Sequence, residues 1–252
     1  MFDLTNRVAL VTGSTKGLGR AMAQAFALAG ASVVISSRDQ ERCTAVATDI
    51  HEQTGAATVG VAWHASDWEA APAIVERIVD AFGTVDVLVN NAGINPASQS
   101  AAAVSLELWR KVFSVDLEGP LRMSQCVAPV MRERGGGSII NIGSMAAYAA
   151  HSQSVAYGAA KAALRSLTVT MAHEFAAWGI RVNLLSPGPF ATEMVAGAER
   201  HQPGFLEMLA RSNPQKRVAT LDEIVGPALY LASDAASFVT GDDITVSGGM
   251  RK

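Results

Sequence analysis

Short apolar runs rich in β-branched residues alternate along this chain with longer segments of helical periodicity, and that alternation leaves few folds open. The runs are Val8 to Val11, Ser32 to Ile35, Thr58 to Ala62, Val85 to Val89, Ser138 to Ile142, Arg181 to Leu185 and Ile244 to Val246. Most lack polar alternation, as strands buried on both faces do. Between them, Leu18 to Leu28, Gln40 to Gln53, Glu69 to Phe82, Leu106 to Met131, Val155 to Trp178 and Leu221 to Leu231 carry apolar residues at helical spacing. Gly30, Gly55, Gly83 and Gly179 follow four of these segments, where a helix end wants a left-handed residue. The pattern predicts an α/β fold, a doubly wound parallel sheet with helices on both faces. Pro120 and Pro129 fall inside the fourth helical segment. Each removes a backbone hydrogen bond, so a bend or break is expected at both.

The length of 252 residues suits one α/β domain, and 49% hydrophobic content is enough for a large core. A net charge of −3 with no basic stripe argues against a nucleic-acid partner. Cys43 and Cys126 are far apart and form no CxxC, which reads as reduced thiols of a cytoplasmic protein. Met1 to Arg7 carries an early acid and no apolar h-region, so a signal peptide is not expected. Nor is a membrane span, since no run of about 20 uninterrupted apolar residues occurs. No histidine–cysteine–carboxylate cluster suggests a metal.

The first strand runs into the first helix through Thr12-Gly-Ser-Thr-Lys-Gly-Leu-Gly19. Gly13, Gly17 and Gly19 give G-x3-G-x-G. Such glycines permit a tight turn and let backbone N–H groups approach a pyrophosphate, whose charge a helix N-terminus favours. Gly13, Thr15, Lys16, Gly17, Leu18 and Gly19 are therefore candidate dinucleotide contacts. The second strand ends in Ser36-Ser37-Arg38. An acid here suits a bare ribose 2′-hydroxyl, an arginine a 2′-phosphate. Arg38, with Lys16 as a second charge, points to NADP(H) in preference to NAD(H). In the alternative both are ordinary solvated charges and Asp39 contacts the ribose of NAD(H). Asn91, Ala92 and Gly93, after the fourth strand, fall at the strand carboxyl ends where such sheets bind ligands, although Asn and Gly also suit a plain turn. Ser144 closes the fifth strand on the same edge, where a serine also suits a helix cap. Pro187-Gly188 closes the sixth, with Thr192 soon after.

Tyr157-Gly-Ala-Ala-Lys161 adds chemistry. On a helix, positions i and i+4 share a face one turn apart. An ammonium beside a phenol favours the phenolate, so the pair can serve as general acid or base near neutral pH.

Taken together, Thr12-Gly-x3-Gly17-x-Gly19, Asn90-Asn91-Ala92-Gly93, Ser144, Tyr157-x3-Lys161 and Pro187-Gly188-x3-Thr192 resemble the short-chain dehydrogenase/reductase family, in its single-domain branch. The resemblance spans essentially the whole chain. It implies a Rossmann-like, seven-stranded parallel sheet and a bound NADP(H) or NAD(H). It also implies a homotetramer or homodimer built through the long helices over 106–131 and 155–178. In such enzymes the tyrosine exchanges a proton with the substrate oxygen and the serine hydrogen-bonds that oxygen. The lysine tunes the tyrosine and binds the nicotinamide ribose. Pro187, Gly188, Phe190 and Thr192 would hold the nicotinamide end. Two positions depart from the family. Asp116 stands where the family usually has an asparagine that supports a water joining the lysine to solvent. An ionised aspartate donates no hydrogen bond and, if close, partly neutralises Lys161. His64 stands where an aspartate commonly meets the adenine, and it suits either that contact or a plain surface position.

Substrate contacts are expected from the loops 94–103, 145–153 and 190–213. The last carries Met194, Phe205, Met208 and Leu209 and reads as a mobile lid on a single domain over 1–252. His151 and His201 read as solvent-facing. The chemistry expected is hydride transfer between NADP(H) and a carbonyl or secondary alcohol, with Ser144, Tyr157, Lys161 and Asp116 at the reacting centre. A non-catalytic dinucleotide-binding sensor is the rival reading.

Overall fold

The computed structural model describes residues 2–96, 100–149, 154–201 and 203–250, without the side chains of Met194, Ala198 and His201. Seven strands form one sheet: β1 (Val8–Thr12), β2 (Ser32–Ser37), β3 (Thr58–Ala62), β4 (Val87–Asn90), β5 (Gly137–Ile142), β6 (Ile180–Pro187) and β7 (Asp243–Val246). Every pairing is parallel, in the order β3-β2-β1-β4-β5-β6-β7. The chain winds from β1 toward β3, then returns to add β4 on the other side of β1. A crevice opens at that reversal, outside the strand carboxyl ends. Register brings those ends level, with Val11 beside Val89, Asn90 beside Asn141 and Ile142 beside Leu185.

Helices cover both faces, which is why the strands lack polar alternation. On one face, α1 (Gly17–Leu28), α2 (Gln40–Thr54) and α9 (Val225–Ala232) pack Met22, Phe26, Ile50 and Leu231 against Ala9, Val11, Val33 and Val89. On the other, α3 (Ala71–Phe82), α5 (Gly119–Glu133) and α6 (Val155–Phe175) pack Ile78, Met123, Met131 and Met171 against Val8, Leu10, Val34 and Leu88. Alternate residues of one strand thus enter opposite cores, and both sets must be apolar. Gly55, Gly83 and Gly179 adopt φ of 73°, 79° and 72° directly after their helices.

The fourth helical segment departs from the simple expectation. α4 (Leu106–Phe113) ends in one π-helical turn, Ser114–Glu118, before α5 begins. Pro120 lies in the first turn of α5, directly after the π turn, so the regular helix is interrupted beside the proline that removes an N–H. Pro129 lies inside α5 and does not break it. Both Pro129 and Gln125, whose carbonyl loses its helical donor, face solvent, so water can replace the lost bond. The segment read as a lid contains two helices, α7 (Glu193–His201) and α8 (Phe205–Arg211). Among the described residues no helix is long and apolar enough to cross a membrane.

Candidate active site

The glycine-rich turn joins β1 to α1 in the crevice. Gly13 and Gly17 adopt φ of 63° and 57°, a region that costs side-chain-bearing residues energy. A Cβ on Gly13 would lie 2.8 Å from Ala92 Cα, and one on Gly19 would lie 2.4 Å from Asn91 Nδ2 and 2.6 Å from Gly13 O. A Cβ on Gly17 would meet nothing within 4 Å, because that residue faces open space. Lys16 is the N-cap of α1 and offers no capping acceptor, so no side chain satisfies the first N–H groups of the helix. Tight packing behind, open space in front and an uncapped helix start together fit an anionic phosphate group. Thr15 and Leu18 are half-buried in the same turn.

Asn91 holds the turn in place. Its Nδ2 donates to Thr12 O at 2.8 Å and Gly13 O at 3.1 Å, and its N–H and that of Ala92 both donate to Thr12 Oγ1 at 3.0 Å. Beneath it runs a buried polar chain. Asn90 Nδ2 donates to Asn141 Oδ1 at 2.8 Å and Ser124 Oγ at 3.1 Å, and Asn141 Nδ2 donates to Thr168 Oγ1 at 2.9 Å. The sequence pattern does not single out the Thr12 hydroxyl, Asn141, Ser124 or Thr168. Their one trace is polarity at positions where a doubly covered strand or a packed helix is otherwise apolar.

Tyr157 and Lys161 lie one turn apart on α6, with Lys161 Nζ 5.6 Å from the centre of the Tyr157 ring. Tyr157, like Ile94, Trp109 and Phe113, packs against the buried Val112, Ala156 and Ala160, and no described residue pairs with its hydroxyl. Lys161 is buried. Its ammonium donates to Ile142 O at 2.9 Å and lies 3.3 Å from Asp116 Oδ1. Ile142 ends β5 two residues before Ser144, so the lysine ties α6 to the strand end that carries the serine. Ser144 Oγ accepts from Ala146 N at 3.1 Å and caps a short 3₁₀ turn, Met145–Ala147. Asp116 sits in the π turn, buried, and accepts from Ile94 N at 3.1 Å. A Cβ on Gly93 would strike Asp116 Oδ1 at 2.7 Å, which explains a glycine there. Asp116, Lys161, Tyr157 and the Gly93–Ile94 turn thus form one cluster at the sheet edge.

Pro187 ends β6, and Gly188 N donates to Val246 O at 2.9 Å. Phe190 is buried in the core, so a ligand could meet its backbone but not its ring. Thr192 Oγ1 accepts from Val195 N at 3.3 Å and starts α7.

The chain matches the family model described as Enoyl-(Acyl carrier protein) reductase over residues 13–251. It is 36% identical to the cattle (Bos taurus) protein named dehydrogenase/reductase SDR family member 4, across 98% of this chain and 88% of that one. The chain belongs to the short-chain dehydrogenase/reductase family. A 2-dehydro-3-deoxy-D-gluconate 5-dehydrogenase of Formosa agariphila is 34% identical across 99% of this chain and 94% of its own. Among solved structures, a gluconate 5-dehydrogenase of Burkholderia cenocepacia in complex with NADP and tartrate superposes with a TM-score of 0.93 at 35% identity, covering 98% of this chain and 96% of that one.

This short-chain dehydrogenase/reductase is an oxidoreductase with its own charge arrangement. Burial pushes the Asp116 carboxyl above its ordinary value, against an opposing pull from Lys161 and the Ile94 N–H. Arg38 is exposed, and its guanidinium has no partner among the described residues. Asp39 caps α2 through Arg42 N at 3.1 Å and pairs with Arg42 Nε at 3.3 Å. Lys16, expected beside Arg38, instead bonds Glu193 Oε2 at 2.9 Å. His64 is exposed and holds Ser66 Oγ at 2.8 Å within a local turn. Residues 97–99 and 150–153, His151 among them, lie outside the described residues, as do the side chains of Met194 and His201.

Proposed function

We propose that the protein is an NADP(H)-dependent oxidoreductase for a carbonyl or secondary alcohol, with Tyr157 as general acid and base. The observation that carries this is the Lys161 ammonium, fixed between Ile142 O and Asp116 and 5.6 Å from the Tyr157 ring. An ammonium has three donors. Two are engaged, which leaves one for a nicotinamide ribose hydroxyl. The Ser144 hydroxyl accepts from Ala146 N, so its own O–H remains free to donate to a substrate oxygen. In reduction Tyr157 gives its proton to that oxygen; in oxidation it takes one. The dinucleotide, when bound, supplies or accepts the hydride. The uncapped α1 N-terminus and the open face of Gly17 would hold its phosphates, and the Asn91–Gly93 turn, Pro187, Gly188 and Thr192 would line the nicotinamide end.

The unpartnered Arg38 favours a 2′-phosphorylated cofactor over NAD(H), because Asp39 is already engaged as a helix cap. We read the chain as one domain with residues 190–213 as its lid. Exposed Leu106 on α4 and Val169 on α6 support association of copies through these helices, as a dimer or tetramer. An intact Ser144, Tyr157 and Lys161 weighs against a sensor, which needs no proton donor.

The test is loss of NADPH absorbance against a carbonyl panel that includes oxidised polyols and sugar acids, the class named in the relatives. Tyr157→Phe should cost about 10²–10⁴ in turnover while dinucleotide binding persists. Undiminished turnover in that variant overturns the assignment. Arg38→Asp should lower the preference for NADPH over NADH at least tenfold.

A further inference from the structure

Lys16 and Glu193 meet across the crevice. Lys16 belongs to the β1–α1 turn, and Glu193 opens α7 just beyond β6. Those strands are separated by β4 and β5, a gap of roughly 14 Å at the usual strand spacing. The two side chains close that gap with a 2.9 Å contact. Both are exposed, so the contact is made and broken in water. The Glu193 carboxyl is held below its ordinary value by the Lys16 hydrogen bond first, with Arg42 and Arg200 adding to the field. It is therefore an anion at neutral pH.

The cationic side chains at this end of the crevice are unequally engaged. Arg38 has no described partner, Arg42 is tied to Asp39, and Lys16 is tied to Glu193. A 2′-phosphate arriving beside Arg38 would draw on the Lys16 ammonium, and that ammonium already has an anion. An unphosphorylated ribose would make no such demand.

We propose that Glu193 is a specificity-determining residue for the cofactor: it competes with the 2′-phosphate for Lys16 and so narrows the preference for NADP(H) over NAD(H). The inference rests on the reading that Arg38 receives the 2′-phosphate. It also links cofactor choice to α7. NADP(H) frees the first residue of the lid from the glycine-rich turn, whereas NAD(H) leaves it clasped.

Dissociation constants of NADPH and NADH, and of adenosine 2′,5′-bisphosphate and adenosine 5′-monophosphate, are measured by calorimetry on the full chain. The proteins are wild type, Glu193→Gln, Lys16→Met, the double variant and Arg38→Asp. Glu193→Gln should bind NADPH and the bisphosphate about threefold tighter, the scale of an exposed ion pair, with NADH and the monophosphate shifted less than about 1.5-fold. In the Lys16→Met background the Glu193 change should have no effect. Unchanged NADPH binding in Glu193→Gln, or an equal shift for NADH, overturns the proposal. If Arg38→Asp leaves the NADPH-to-NADH ratio unaltered, the assignment of the 2′-phosphate site itself has failed. If Arg38→Asp collapses the ratio and Glu193→Gln is silent, the competition alone is wrong.

Discussion

Lys161 Nζ lies 3.3 Å from Asp116 Oδ1, and both side chains are buried. The family's usual asparagine cannot offset the ammonium; this carboxylate can. Tyr157 therefore faces a cation whose field a neighbouring carboxylate partly cancels. Replacing Asp116 by asparagine keeps the shape and an acceptor for Ile94 N but removes the compensating charge. Alcohol oxidation by Asp116→Asn should reach its plateau at lower pH than in wild type, with a several-fold gain in kcat at neutral pH. Burial holds the Asp116 carboxyl above its ordinary value. A carboxyl shifted upward contributes stability that is present below its unfolded value and lost as pH rises through its folded value. Asparagine has no such dependence, so the two proteins should converge or cross in stability as pH rises. Paired pH–rate and pH–melting profiles check this, and superimposable rate curves would falsify it.

Gly19 carries a different constraint from Gly17, although both belong to the glycine-rich turn. At Gly19 the backbone is ordinary helix, and the obstacle is backbone oxygen Gly13 O at 2.6 Å from the added Cβ. Backbone cannot swing aside as a side chain can. Gly19→Ala should destabilise by about 1–3 kcal/mol and displace the Asn91 amide that holds the turn. Gly17→Ala meets no atom and should cost only the left-handed conformation, about 1 kcal/mol. Urea titrations of the two variants give the ranking. Dinucleotide affinity should fall in both, in Gly17→Ala because the methyl occupies the face proposed for the phosphates; equal destabilisation in urea would show that space behind the turn is not limiting.

The sheet is legible because double burial leaves an unmistakable trace: a run such as Val8 to Val11 must be apolar at every position when alternate residues enter different cores. The Tyr157–Lys161 pair was legible because helical spacing alone makes them neighbours. Elements decided by long-range contact were not. The π turn at Ser114–Glu118 inserts one residue just ahead of Pro120, and only the neighbouring Gly93–Ile94 turn and Lys161 explain why Asp116 points inward. Pro129 kept its helix because it faces water, a fact about orientation that the pattern does not carry. The place of Lys16 in the turn points toward a phosphate. Its partner Glu193 lies 177 residues away, on a helix too short and polar to stand out from the loop.

Beyond the backbone pairing of β4 with β5, the Asn141 side chain ties β5 to β4 and α6, since its Oδ1 accepts from Asn90 and its Nδ2 donates to Thr168 Oγ1. All three residues are buried. Asn141→Leu leaves polar groups on both neighbours with fewer partners and should cost about 1–3 kcal/mol in urea unfolding. Adding Thr168→Val removes one orphan, so the double variant should be less destabilised than the sum of the singles. Strict additivity would mean that the chain of amides is not a coupled network.

Glu223 anchors the return of the chain beneath the proposed lid. Its two oxygens each accept from Arg217 at 2.6 Å, and Oε2 also accepts from Thr220 N at 2.8 Å. The next residue, Ile224, is buried in the core, and Ala219 pairs with Phe190 on the other strand of the connection. The Arg217 guanidinium, followed by the Thr220 N–H, depresses the Glu223 carboxyl from 4.5 to about 2. For a depressed carboxyl the stabilisation is present above the unfolded value and is lost as pH falls through the folded one. Glu223→Gln should therefore melt below wild type at neutral pH, keep that gap down to about pH 4.5, and lose it progressively toward about pH 2. The side chain is only partly covered and reaches solvent, so raised salt should shrink the gap at neutral pH as well. Differential scanning calorimetry of both proteins across this range decides it: a gap that ignores both pH and salt would assign Glu223 a packing role instead of an electrostatic one.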